Sequence, residues 1–283
     1  MTDFGGAIQS RDDYDLALLG IPFDGKSSFK QGPSLGPQAI REASTSAAIN
    51  AWTELGVNLE TDAVVADLGD VDVSGDYSQI AGRIQDSVLN ILNNNAVPLI
   101  MGGDHSITYP VIQGVGQKYK KLDILHFDAH PDLYDELYGD PYSHACPFAR
   151  ILEQELAANL VQIGIRAGTG SHREKAEKYG VKVWPMRDLR ELPVLEFKNP
   201  LYISFDVDAL DPAFAPGVSH CEPGGLTTRE ALHIIHNVKA EIIGMDVVEV
   251  NPLFDHAGRT ASAAVKILME VAGLAVSTRK FKI

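Results

Sequence analysis

Apolar residues gather in eight short runs: Leu16 to Ile21, Val64 to Leu68, Val97 to Met101, Leu122 to Phe127, Leu160 to Ile165, Val181 to Trp184, Leu201 to Phe205 and Ile242 to Val248. The runs Val97 to Met101, Leu122 to Phe127 and Leu201 to Phe205 do not alternate with polar residues and are closed by Gly, Pro or Asp, as a strand covered on both faces of a parallel sheet requires. Between the runs lie helical patterns. Tyr77 to Asn93 repeats Ile80, Ile84, Val88 and Ile91 at three- and four-residue spacing, and Thr228 to Val238 and Ala261 to Val276 also read as helices. This alternation predicts an α/β fold, a single three-layer αβα domain over residues 1–283 with a mostly parallel sheet of about eight strands. No repeat, low-complexity tract or linker divides the chain. Two Gly/Asp/Pro-rich segments, Asp135 to Pro147 and Asp211 to Gly225, are long for strand-to-helix loops and are expected to shape a pocket.

Polar chemistry is concentrated where the apolar runs end. His105 lies in MGGDHS, Asp128, His130 and Asp132 in ILHFDAHPD, and Asp206 and Asp208 in YISFDVDALDP. Ligands in open α/β folds collect at such carboxyl ends. The every-second-residue spacing of Asp128, His130 and Asp132, repeated by Asp206 and Asp208, puts each set on one face of an extended segment. Four carboxylates packed together demand neutralising cations, and two divalent ions supply the charge. A donor set of oxygens and two imidazoles without thiolate suits manganese, and also admits nickel, cobalt, iron or zinc.

The bulk composition narrows the partners. With 38 acidic and 24 basic residues the formal charge is -14, which disfavours nucleic acid and anionic membranes and favours small cations. No signal-peptide pattern opens the chain and no run approaches the roughly 20 apolar residues of a membrane span, so a cytoplasmic location is expected. Two cysteines, Cys146 and Cys221, without CxxC spacing argue against a disulfide framework or a thiolate zinc cluster; both fall in loops expected near the pocket mouth and are read as inert free thiols. No GxGxxG dinucleotide fingerprint occurs, since Gly168 and Gly170 follow a strand without a third glycine.

The motifs GGDHS, DAHPD and SFDVDALDPAFAPG, with SFKQGPSLGPQAIRE, EPGGLT and DVVEVNP, resemble the ureohydrolase family of arginases and agmatinases over almost the entire chain. The stretches YSHACPFARI and SHCEPGGL look most like plant-type arginases and their prokaryotic relatives. The resemblance implies two Mn2+ per chain, one held by His105, Asp128, Asp132 and Asp206 and the other by Asp128, His130, Asp206 and Asp208. It further implies Glu249 as the guanidinium clamp, Asp132 as the carboxylate that moves a proton to the leaving amine, His144 as a proton shuttle, and a trimer or hexamer. Two ions about 3.5 to 4 Å apart lower the pKa of a shared water toward neutrality, which a resonance-stabilised guanidinium needs in its nucleophile. His126 reads as a hydrogen-bonded core histidine with a role behind the metal ligands as the alternative. His233 and His236 read as partly exposed helix residues, and Asp246 and Asn251 as weaker alternatives to Glu249.

The expected substrate is a small cationic guanidine. The segment Asp132 to Cys146 carries Asp132, Asp135, Glu136 and Asp140 with Tyr134, Tyr138 and Tyr142 and no Lys or Arg, while Ala167, Gly168 and Thr169 are neutral. An acidic rim of this kind points to agmatine, cleaved to putrescine and urea. Arginine or another guanidine is the alternative, and a fold-related zinc deacetylase, which would hold one metal, is a more distant one.

Overall fold

The computed structural model describes residues 4–9, 13–191 and 194–279. In chain order the elements are β1 (Leu16–Gly20), α1 (Gly36–Ser44), β2 (Val65–Asp70), α2 (Tyr77–Asn93), β3 (Val97–Met101), α3 (Thr108–Lys118), β4 (Asp123–Phe127) and α4 (Pro147–Glu153). They continue through β5 (Asn159–Ile165), α5 (Gly170–Tyr179), β6 (Lys182–Pro185), β7 (Leu201–Asp206), α6 (Thr228–His236), β8 (Ile242–Val248) and α7 (Arg259–Thr278). The eight strands form one sheet in the order β2-β1-β3-β8-β7-β4-β5-β6, and every pairing is parallel.

Side chains alternate across this sheet, which is why the apolar runs lack a polar face. Leu16, Leu18, Leu99 and Met101 pack with Ile40 of α1, Leu232 of α6 and Leu268 of α7 on one side. Ala17, Leu19, Ile100 and Ile124 pack with Ile84 of α2, Ile112 of α3 and Ile151 of α4 on the other. The result is the expected three-layer αβα architecture. α7 departs from the sequence expectation, because the stretch His256–Thr278 is long and apolar enough to cross a membrane by length and composition. Its apolarity has a different cause: Ala264, Val265, Leu268, Val271, Ala272 and Ala275 are buried inside the protein, and α7 packs on α1, α6 and β8.

β3, β8, β7 and β4 are four adjacent strands at the centre of the sheet, and all point the same way. The segments that follow them therefore share one edge, which is where the site is built.

Candidate active site

Beyond Met101 the chain passes through Gly102 and Gly103 into a turn at His105. Beyond Phe127 it carries Asp128 to Asp132, β7 itself ends on Asp206, and Glu249 follows Val248. Asp132 and Glu249 both adopt left-handed backbone, with φ of 52° and 64°. Such conformations cost free energy for residues with a Cβ and concentrate at functional positions.

His105, Asp128, Asp132 and Asp206 converge. The Nδ1 of His105 lies 3.3 Å from an Asp128 oxygen, 3.1 Å from Asp132 and 3.3 Å from Asp206, yet this buried nitrogen makes no hydrogen bond among the described residues. Its other nitrogen explains why. Ser204 donates its hydroxyl proton to Asp246 at 2.7 Å, so its oxygen is left to accept Nε2–H of His105 at 2.9 Å. That relay places one imidazole proton on Nε2 and turns Nδ1 toward three carboxylates, an arrangement suited to a cation at their centre, a metal ion or, without one, a proton on Nδ1.

The second group is formed by His130, whose Nδ1 is 3.0 Å from Asp208 and 3.4 Å from the second oxygen of Asp128. Asp128 thus faces both groups. Burial and the neighbouring carboxylates push Asp206 well above the usual carboxylate range and Asp208 up to about 6. Without cations the cluster resists its own charge. The donor set, the orphaned nitrogen and this repulsion all fit a pair of divalent ions.

His126 also falls within ligand distance of His105 and Asp128. Its Nδ1 accepts from Gln162 at 3.0 Å, which leaves Nε2–H to donate to Asp128 at 2.8 Å, and its ring stacks on Phe148. It is a buried, hydrogen-bonded core histidine that at the same time holds Asp128 in place. Asp246 lies under the site and takes the hydroxyls of Thr108, Tyr202 and Ser204; Asn251 donates to Ser219 and to the Lys30 carbonyl. Neither lines the cleft, whereas Glu249 does.

Above the cluster is a cleft of about 160 Å³ lined by His130, Asp132, His144, Asp206, Asp208 and Glu249, with Ser28, Tyr134, His172, Ser219 and His220 completing its walls. Oε1 of Glu249 accepts the His105 backbone N–H at 3.0 Å and lies 3.5 Å from Nδ1 of His144, while its buried Oε2 has no hydrogen-bond partner among the described residues. His144 shares a 2.8 Å hydrogen bond with Ser28 and stacks on His220. Burial opposes protonation of His144, but the Glu249 carboxylate outweighs it and raises the imidazole to about 9.

The acidic rim read from the sequence does not face this cleft. Asp135 pairs with Lys175, and Asp140 pairs with Lys26 at 2.6 Å. Tyr138 is exposed and Tyr142 stacks on Tyr109; of that segment's acids and tyrosines only Asp132 and Tyr134 line the cleft. Cys146 is buried, its thiol pushed up to about 12 by burial, and Cys221 is exposed; both are free. His233 is exposed, and the half-buried His236 bonds to Glu270.

Sequence reasoning missed Ser28, His172, Ser204, Ser219 and His220. All sit in loops, at a helix start or inside an apolar strand, where residue type alone carries no signal.

An arginase family model matches residues 14–273. Mitochondrial arginase 1 of Arabidopsis thaliana is 45% identical over 284 residues, covering 95% of this chain and 82% of that protein. A mitochondrial agmatinase of Gallus gallus is 38% identical over 280 residues, covering 93% and 81%. The solved arginase from Medicago truncatula superposes with a TM-score of 0.89 at 43% identity, covering 93% of this chain and 88% of that one.

Proposed function

The chain belongs to the arginase family, and from that premise we propose that it hydrolyses L-arginine to urea and ornithine. A pair of divalent cations, manganese foremost, would be held by His105, Asp128, Asp132 and Asp206 and by Asp128, His130, Asp206 and Asp208. When bound, such cations neutralise the carboxylates and ionise water near neutral pH. The observation that carries the reading is the spare, buried Oε2 of Glu249 beside the converging carboxylates.

That oxygen accepts a guanidinium N–H in a charge-assisted bond and fixes the target carbon over the cluster. Asp132, in the same cleft, is placed to pass a proton to the departing amine, and His144 to exchange it with solvent. A guanidinium on Oε2 brings positive charge to the carboxylate whose Oε1 faces His144. Substrate binding therefore loosens the hold that keeps His144 protonated, so the imidazole gives up its proton when the leaving group needs one.

Arginine ranks above agmatine because plant arginases are the more similar relatives and because the acids once read as a cation-selecting rim are paired elsewhere. Agmatine is the second reading, favoured by the 38% identity to an agmatinase. The test is urea release by the manganese-loaded protein from arginine, agmatine and guanidinobutyrate. Arginine is expected to lead in kcat/KM by at least about tenfold; a lead for agmatine would reverse the assignment.

A further inference from the structure

His172 opens α5 as the third residue after the helix cap, Thr169. The Thr169 backbone N–H donates to His172 Nδ1 at 3.2 Å, and the Thr169 hydroxyl accepts the His172 backbone N–H at 3.5 Å. This reciprocal box is usually closed by Glu or Gln. Either would serve the helix as well, but a histidine brings a second ring nitrogen. Because Nδ1 accepts, the proton of the neutral ring must sit on Nε2, and burial, which lowers the imidazole's proton affinity, keeps the ring neutral. The side chain is 4% exposed, and Nε2 has no hydrogen-bond partner among the described residues. A buried donor left unsatisfied costs about 1–3 kcal/mol.

The ring lies in the wall of the substrate cleft, which it shares with Asp132 and His130, against Tyr134 at 4.0 Å between centroids. We propose that His172 is a specificity-determining residue whose Nε2–H binds the carboxylate at the tail of an amino-acid substrate, selecting arginine over its decarboxylated counterpart. The proposal rests on the guanidine-hydrolase reading and adds the group that reads the other end of the substrate. A neutral donor suits this position, because it satisfies a carboxylate without placing a competing cation beside the metal cluster.

Two variants test it. His172→Glu keeps a cap acceptor but replaces the donor with an anion; His172→Gln keeps both acceptor and donor. The melting temperature of each variant reports whether the cap survives. Two readouts follow: calorimetric binding of ornithine against putrescine to the manganese-loaded protein, and urea release from arginine against agmatine. We expect the wild type to bind ornithine at least about tenfold more tightly than putrescine. His172→Glu should lower the arginine-to-agmatine ratio of kcat/KM by about tenfold or more, mainly through KM for arginine, and His172→Gln should retain most of the preference. No ornithine preference in the wild type, or equal losses on both substrates in a folded His172→Glu, overturns the proposal. An ornithine preference that depends on His172, without urea release from either guanidine, would sink the hydrolytic reading and leave this donor standing.

Discussion

At the scale of single residues, protons decide most of what the site can do. Burial opposes protonation of His130, yet Asp208 and Asp128 raise it to about 12 in the absence of metal, and Asp128, Asp132 and Asp206 raise His105 in the same way. An incoming cation must displace those protons, so manganese affinity is expected to weaken as pH falls and binding to release protons. Calorimetry at pH 6 and 8 in buffers of different ionisation enthalpy measures both; a constant Kd without proton release would contradict it. In the proposed role of proton carrier His144 acts in its protonated form, so kcat/KM should decline as pH rises through about 9, and His144→Asn should lose that limb along with most of the rate. Survival of the limb in the variant would assign it to another group. The convergence of His105, Asp128, His130, Asp132, Asp206 and Asp208 was legible in the sequence because Asp and His are rare endings for apolar runs. The direction of a loop acid is not so encoded: Asp135 and Asp140 meet cations 40 and 114 residues away, and no local pattern announces either pairing.

At the scale of elements, two glycines let the loops approach the sheet. A Cβ on Gly103 would meet the Phe23 backbone, with its carbonyl oxygen 1.9 Å away, and Gly103 also accepts the Glu249 N–H at 2.8 Å. Gly103→Ala is therefore expected to cost about 2 kcal/mol, a typical overpacking penalty, and to lower kcat by shifting Glu249. Chemical denaturation and urea-release kinetics check the two halves; an unchanged midpoint would mean that the loop yields. A Cβ on Gly164, at φ 95°, would likewise crowd the Asp128 carbonyl oxygen, at 2.9 Å. Strand positions were readable to within a residue or two, since burial on both faces removes most polar interruptions from the inner strands, and the exposed edge strands β2 and β6 still open on apolar residues or carry them. α1, α3, α4 and α5 were not picked out. Prolines or glycines occupy their first turns or interiors and α4 spans only 7 residues; α1, α3 and α4 rest on tertiary packing, while α5 buries only His172 and Ala176 and so shows little apolar periodicity.

At the scale of the whole molecule, a buried carboxylate ties the face opposite the α2 layer together. Glu270 of α7 is fully buried and accepts from the Glu54 backbone N–H at 2.9 Å, from Lys266 at 2.6 Å and contacts His236 of α6 at 2.8 Å. Glu270→Ala should destabilise the protein by about 2–3 kcal/mol while leaving KM for the substrate unchanged, because the network is remote from the cleft. A matching rise in KM would show that the two are linked.

The sheet order carries a consequence for biosynthesis. β8, the last strand in chain order among the described residues, lies between β3 and β7. Until it emerges from the ribosome the nascent chain holds two separate half-sheets, each with a bare edge able to pair wrongly. Chains halted before residue 242 should therefore aggregate and fail to retain divalent cations, and metal retention then reports that β8 has joined the two halves.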